Sequence, residues 1–139
     1  GQCRRRACAV SGWVLPWAQV AAVAGGAAIG ALLRWRAGLW LNSHWSGFPL
    51  GTLAVNCIGG LAVGAALAWF ERSPNELLRL LVVTGFLGGL TTFSAFSVES
   101  LLLLQRGQWW LALAHTGAHV LGALGCAALG FRVAQVALA

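Results

Sequence analysis

The chain has 139 residues, 59% of them hydrophobic and only 9% charged, and its net charge of +6 comes from arginine with no lysine present. So little charge cannot cover a water-facing surface, which excludes a soluble domain. Apart from Arg4–Arg6 the arginines are scattered along the edges of apolar runs, with no basic stripe interleaved with aromatics. No nucleic-acid partner is expected, and the phosphate headgroups of membrane lipid are the natural contacts.

Four stretches carry no charge at all: Ala7–Leu33, Ala37–Phe70, Leu80–Val98 and Gly107–Phe131. Each holds a run of roughly 20 apolar residues, enough to cross a bilayer. They predict an all-α integral membrane fold with transmembrane helices at about Trp17–Leu33, Thr52–Phe70, Leu77–Leu104 and Trp110–Leu129. All eight tryptophans (13, 17, 35, 40, 45, 69, 109 and 110) fall toward span ends, as interfacial indoles do. Residues 1–15 read as a basic, poorly ordered N-terminal segment, and 16–139 as a single four-helix domain. The start "RRRACAVSGWVLPWA" has the look of a signal n-region, but the apolar run continues to Leu33, too long for a cleaved segment, and is read as the first span.

In the first span Gly26 and Gly30 form a small-residue stripe, and Arg34 follows near its end, where snorkelling is the commoner role. The turn-rich connection Asn42–Pro49 leads to the second span. There Thr52, Asn56, Gly60 and Gly64 recur every fourth residue and share one face. An unpaired amide in hydrocarbon costs several kcal/mol, so Asn56 must find partners. Interhelical glue is the commoner use; a donor aimed at a permeating anion is the sharper one. Cys57 here and Cys126 in the fourth span, without C-x-x-C spacing, read as small packing residues rather than disulfide or metal partners. Between the second and third spans, Ser73, Pro74 and Glu76 match an S-x-x-E capping box.

The third span contains "GFLGGLTTFSAFSVE", Gly85–Glu99, at membrane depth. Its glycines and paired threonines predict a helix break around Gly88–Thr92. Non-helical backbone survives at that depth only where it is buried in protein, binds an ion or lines a watery cavity. Freed carbonyls suit a cation, and the restarting half-helix offers N–H groups to an anion. Phe93 and Phe96 follow on one face of that half; core packing is the usual role, but ring edges also attract anions. Glu99, the only acid within a span, should face protein or water rather than lipid. In the fourth span Ala118, Gly122 and Cys126 form a small stripe, and His115 and His119 sit one turn apart. Two such histidines can bind a metal, but without an H-E-x-x-H context, pore lining or packing hydrogen bonds are expected instead.

With four spans, Arg72, Arg79 and Arg132 lie on one side and Arg34, Arg36 and Arg106 on the other, with Arg4–Arg6 adding to the first. Without that N-terminal triplet the positive-inside rule gives almost no instruction.

Three pieces in order, "GGAAIGALLRW" (Gly25–Trp35), "FPLGTLAVNCIGG" (Phe48–Gly60) and "TGFLGGLTTFSAFSVE" (Thr84–Glu99), resemble the Fluc (CrcB) fluoride channel family. The resemblance implies a dual-topology antiparallel homodimer in the bacterial inner membrane, with fluoride pores along the subunit interface. It implies a structural sodium ion at the dimer centre, held by the backbone carbonyls of Gly88 and Thr91. The implied pore residues are Phe93, Phe96 and Asn56, with Thr52 one turn away, and Arg34 is implied near a vestibule. The fourth helix departs from the family's usual Tyr, Ser or Thr by carrying His115 and His119. Should these line the pore, conduction would depend on pH, since an imidazolium holds fluoride more tightly.

The function implied is passive, fluoride-selective export giving fluoride resistance. The main alternative is a small proton-coupled exporter of a cationic substrate using Glu99 or the histidines, although Glu99 comes late in its helix for that role. An enzyme is not expected, because nothing in the sequence resembles a nucleophile–base pair.

Overall fold

A computed structural model describes residues 17–42 and 49–139 of the chain. The N-terminal segment 1–15, with Arg4–Arg6, and the connection 43–48, with Trp45, lie outside the described residues. In chain order the elements are α1 (Trp17–Asn42), α2 (Leu50–Arg72), α3 (Glu76–Arg79), a π-helical segment (Leu80–Leu87), α4 (Gly88–Leu90), α5 (Phe93–Gln105) and α6 (Trp109–Ala137). Four helical stretches are long and apolar enough to cross a membrane: Trp17–Leu41, Leu50–Arg72, Glu76–Gln105 and Trp109–Ala137. The third comprises α3 to α5, and it is interrupted at Thr91–Thr92.

The first and fourth helices outrun their predicted bounds. Helix α1 continues through Arg34 and Arg36 to Asn42, and α6 continues through Arg132 to Ala137. A window that stops at the first charge underestimates a helix whose arginines have somewhere to go. The described tryptophans Trp17, Trp35, Trp40, Trp69, Trp109 and Trp110 are all exposed, as the interfacial reading requires.

Backbone contact through small residues organises the bundle into two tight pairs. In the first, α1 lies against the π-helical segment and α4: a methyl added at Gly26 would fall 2.8 Å from the Phe86 nitrogen, and one at Gly30 would fall 2.7 Å from that of Leu90. In the second, α2 lies against α6, where a methyl at Gly60 would sit 2.6 Å from the Ala123 carbonyl oxygen and one at Gly64 2.8 Å from the Phe131 nitrogen. Lipid offers no hydrophobic drive between helices, so close van der Waals approach of this kind is what holds such pairs. On α6 the expected stripe is only partly the contacting one. Gly122 faces the Cys57 sulfur, but the closest approach runs through Ala123, Ala127 and Gly130.

The turns follow local chemistry, with one correction. The predicted Ser73 box does not form: Ser73 closes α2, its N–H donating to the Trp69 carbonyl, while Asn75 caps α3 by accepting from the Leu78 N–H at 3.0 Å. Asn is as good a cap as Ser, and α2 has already consumed Ser73. After α5 the chain turns at Gly107, the one described residue with positive φ (72°), with the Gly107 N–H on the Leu104 carbonyl at 3.0 Å and the Gln108 N–H on that of Leu103 at 2.9 Å. That pair of bonds is a Schellman closure, which needs glycine at the left-handed position.

Candidate ion-conduction site

The break occupies the last two residues of the predicted stretch Gly88–Thr92. Gly88, Gly89 and Leu90 remain helical; Thr91 (φ −80°, ψ 155°) and Thr92 (φ −151°, ψ 123°) are extended. Two consecutive β-branched residues tolerate extended backbone well, and Thr92 then restarts the chain as an N-cap, its hydroxyl accepting from the Ala95 N–H at 3.2 Å. The sequence did not forewarn of the π-helical winding before the break, in which the Gly88 N–H reaches the Val83 carbonyl five residues back.

Two neighbouring side chains complete the broken backbone. Asn56 on α2 pairs with Thr92 in both directions: its Oδ1 accepts from the Thr92 N–H at 2.8 Å and its Nδ2 donates to the Thr92 carbonyl at 3.0 Å. Arg34 on α1 donates from Nε to the Gly89 carbonyl at 3.1 Å. Arg34 is thus half-buried and bonded to the break. The carbonyls just before the break lose their helical donors: Arg34 replaces the one at Gly89, while the Thr92 N–H goes to Asn56 instead of Gly88 and the Ala95 N–H goes to Thr92 Oγ1 instead of Thr91. Gly88 and Thr91 are the residues for which the family resemblance implied carbonyl ligands.

Around the break lies a polar cluster reaching from α2 through α5 to α6. Thr52 Oγ1 donates to Glu99 Oε1; Glu99 Oε2 lies 3.2 Å from His115 Nε2; His115 Nδ1 lies 2.9 Å from Ser100 Oγ. His119 Nδ1 lies 3.1 Å from Asn56 Nδ2. The rings of His115 and His119 are 4.5 Å apart between centroids, and Phe96 stacks on the first at 5.5 Å and lies tilted against the second at 4.8 Å. Phe93 continues the row 5.4 Å from Phe96. All the site residues named from the sequence thus meet in one region. Ser100 and the capping role of Thr92 were missed. A threonine before a restarting helix was a legible signal; Ser100 had none, because its partner is set by the register between α5 and α6.

A Ser100–His115–Glu99 chain contains the atoms of a nucleophile–base pair that the sequence had not suggested. Of that chain His115 is fully buried, at 0% exposure, while Ser100 and Glu99 are half-buried.

Two cavities flank the cluster. One of about 540 Å³ is lined by Asn56, Gly88, Thr91, Phe93, Phe96 and His119. The other, of about 670 Å³, is lined by Arg34, Thr52, Thr92 and Glu99. Phe93 is 78% exposed beside the first, an apolar ring left uncovered next to the break.

A family model described as CrcB-like protein, Camphor Resistance (CrcB), matches residues 21–131. The chain belongs to the CrcB family. Among its CrcB relatives, the fluoride-specific ion channel FluC of Aromatoleum aromaticum is 56% identical over 113 residues, spanning 79% of this chain and 86% of that protein. Proteins of the same name from Thiobacillus denitrificans and Pseudomonas aeruginosa are 51% and 50% identical, over 79% and 82% of this chain and 90% and 91% of theirs. The match covers all four spans, the break and both histidines.

Proposed function

We propose that this CrcB chain is a passive, fluoride-selective channel of the bacterial inner membrane that exports cytoplasmic fluoride down its electrochemical gradient and so gives fluoride resistance. The observation that carries this reading is the half-identity, across the whole membrane domain, to relatives named for that activity. Hydrogen fluoride enters cells neutral and ionises in the more neutral cytoplasm; an anion channel then lets the membrane potential expel the ion. Phe93, Phe96, Asn56, Thr52 and His119 are the proposed pore groups, with Arg34 and Glu99 beside the second cavity and the buried His115 behind them. A path with few donors, each neutral, binds the ion weakly enough to release it.

The working unit is an antiparallel homodimer. The equal division of the six described arginines between the two sides fits insertion in both orientations, and a second subunit would cover the exposed Phe93 ring. The Gly88 and Thr91 carbonyls, relieved of their helical donors, would hold a sodium ion at the dimer centre. Their hard oxygen donors suit such an ion, whose contribution would be structural.

The test is purified protein in liposomes with a fluoride electrode. Fast potassium fluoride efflux that requires valinomycin, with none of chloride, is expected. Absence of fluoride efflux, or efflux that appears only with a proton gradient, would sink the channel reading. Phe93→Ile should cut flux while the dimer stays intact in size-exclusion chromatography.

A further inference from the structure

His119 is the one buried side chain among the described residues that leaves a polar atom without a partner: its Nε2 is enclosed and bonded to nothing, and the residue is only 5% exposed. Which chemistry that atom presents depends on which ring nitrogen carries the proton, and the neighbouring contacts decide it. A backbone N–H only donates and a backbone carbonyl only accepts. The double pairing with Thr92 therefore fixes the Asn56 amide, with Oδ1 on the Thr92 N–H at 2.8 Å and Nδ2 on its carbonyl at 3.0 Å. The remaining Nδ2 hydrogen points to His119 Nδ1 at 3.1 Å, so Nδ1 must accept. In a neutral imidazole the proton then sits on Nε2.

The ligand atoms of Glu99, His115 and His119 lie within 4.8 Å of one another, a spacing that would suit a transition metal. A metal needs lone pairs, and the relay turns the His119 nitrogen into an N–H instead. His115 is committed to Glu99 and Ser100 on its two nitrogens. The trio therefore offers a single unpartnered N–H, on His119, in place of a metal cage.

We propose that His119 is a neutral, single N–H donor to the permeating anion, and that Asn56, anchored on the Thr92 backbone, is the positioning residue that sets its tautomer. The inference rests on the channel reading and deepens it. The extended backbone at Thr92 thereby acts twice: it ends the helix, and it orients a donor on another helix. A protonated ring would set an Nδ1–H against the Asn56 amide hydrogens, so the relay selects the neutral ring. The titratable groups facing His119 are Glu99 from α5 and His115 from α6, which are paired with each other; α2 contributes only the Asn56 amide. Fluoride meets one donor and no fixed positive charge at this point, which suits rapid release.

The test separates tautomer from transport. The full chain, labelled with nitrogen-15 histidine and placed in lipid nanodiscs, is measured by NMR, with His119→Gln to assign the signals. The wild type should show His119 as the Nε2–H tautomer at neutral pH. Asn56→Asp puts an acceptor opposite Nδ1 and should move the proton to Nδ1. An Nδ1–H or imidazolium ring in the wild type overturns the proposal, as does an unchanged tautomer in folded Asn56→Asp. In liposomes, His119→Leu should lose roughly tenfold or more of the fluoride flux, and His119→Gln, which keeps an N–H, should recover most of it. Equal flux in Leu and Gln variants also overturns it. Wild-type liposomes without fluoride flux would sink the channel reading while leaving the tautomer result standing.

Discussion

From Glu76 to Leu90 the third span packs by backbone: Gly85 and Gly89 are seated on Gly26 and Ala27 of α1, and little but apolar side chain surrounds them. From Phe93 to Gln105 the same span packs by polar side chains, through Glu99 to Thr52 and His115 and through Ser100 to His115. Up to its last turn, where the Gly88 and Gly89 carbonyls lose their helical donors, the first half satisfies its backbone hydrogen bonds internally and needs only closeness. The second begins at a break whose backbone is completed by Asn56 and Arg34 from two other helices. A self-sufficient helix has nothing left to offer an ion; a backbone that borrows its partners places donors and free carbonyls at membrane depth. The chemistry therefore gathers in one half, and the other half is its support.

Breaking the support should have the largest effect. Gly30→Val sets a branched side chain against the Phe86 carbonyl and the Leu90 nitrogen, both backbone, so nothing flexible can yield. A loss of about 3 kcal/mol or more is expected from such overpacking, seen as lost monodispersity in size-exclusion chromatography and lost flux. A monodisperse, active Gly30→Val protein would mean the two helices are not held by close approach.

Removing borrowed partners comes next. Asn56→Ala strips the Thr92 N–H and carbonyl of their side-chain bonds, which should cost about 2–4 kcal/mol by leaving two backbone groups unpaired. Steric-trapping or denaturant titration measures the loss, and amide exchange at Thr92 should accelerate while that in α1 stays slow. Arg34→Gln should cost about 2 kcal/mol, the worth of a hydrogen bond from a charged donor to the Gly89 carbonyl. An unchanged melting temperature there would return Arg34 to a headgroup anchor.

The smallest effect sharpens the boundary of the supporting half. Asn75→Ala should lose about 1 kcal/mol through its cap, and Ser73→Ala only a few tenths, with fluoride flux intact in both. Equal losses in a thermal melt would mean that Ser73 shares the cap.

Hydropathy alone was enough to locate four spans, because crossing a bilayer demands length and apolarity within each segment. The break, the glycine faces and the need of Asn56 for partners were legible for the same reason: each follows from what hydrocarbon forbids a backbone or an amide. Tertiary structure alone decided that Gly88–Leu90 stay helical and that the turn is made by Thr91–Thr92, since the donors that stabilise the extended form come from α2. It alone turned Arg34 inward, brought Ser100 to His115 and set the proton-bearing face of His119. Those outcomes depend on the register of one helix against another, fixed by how closely backbones approach, and a pattern read along a single helix carries no record of it.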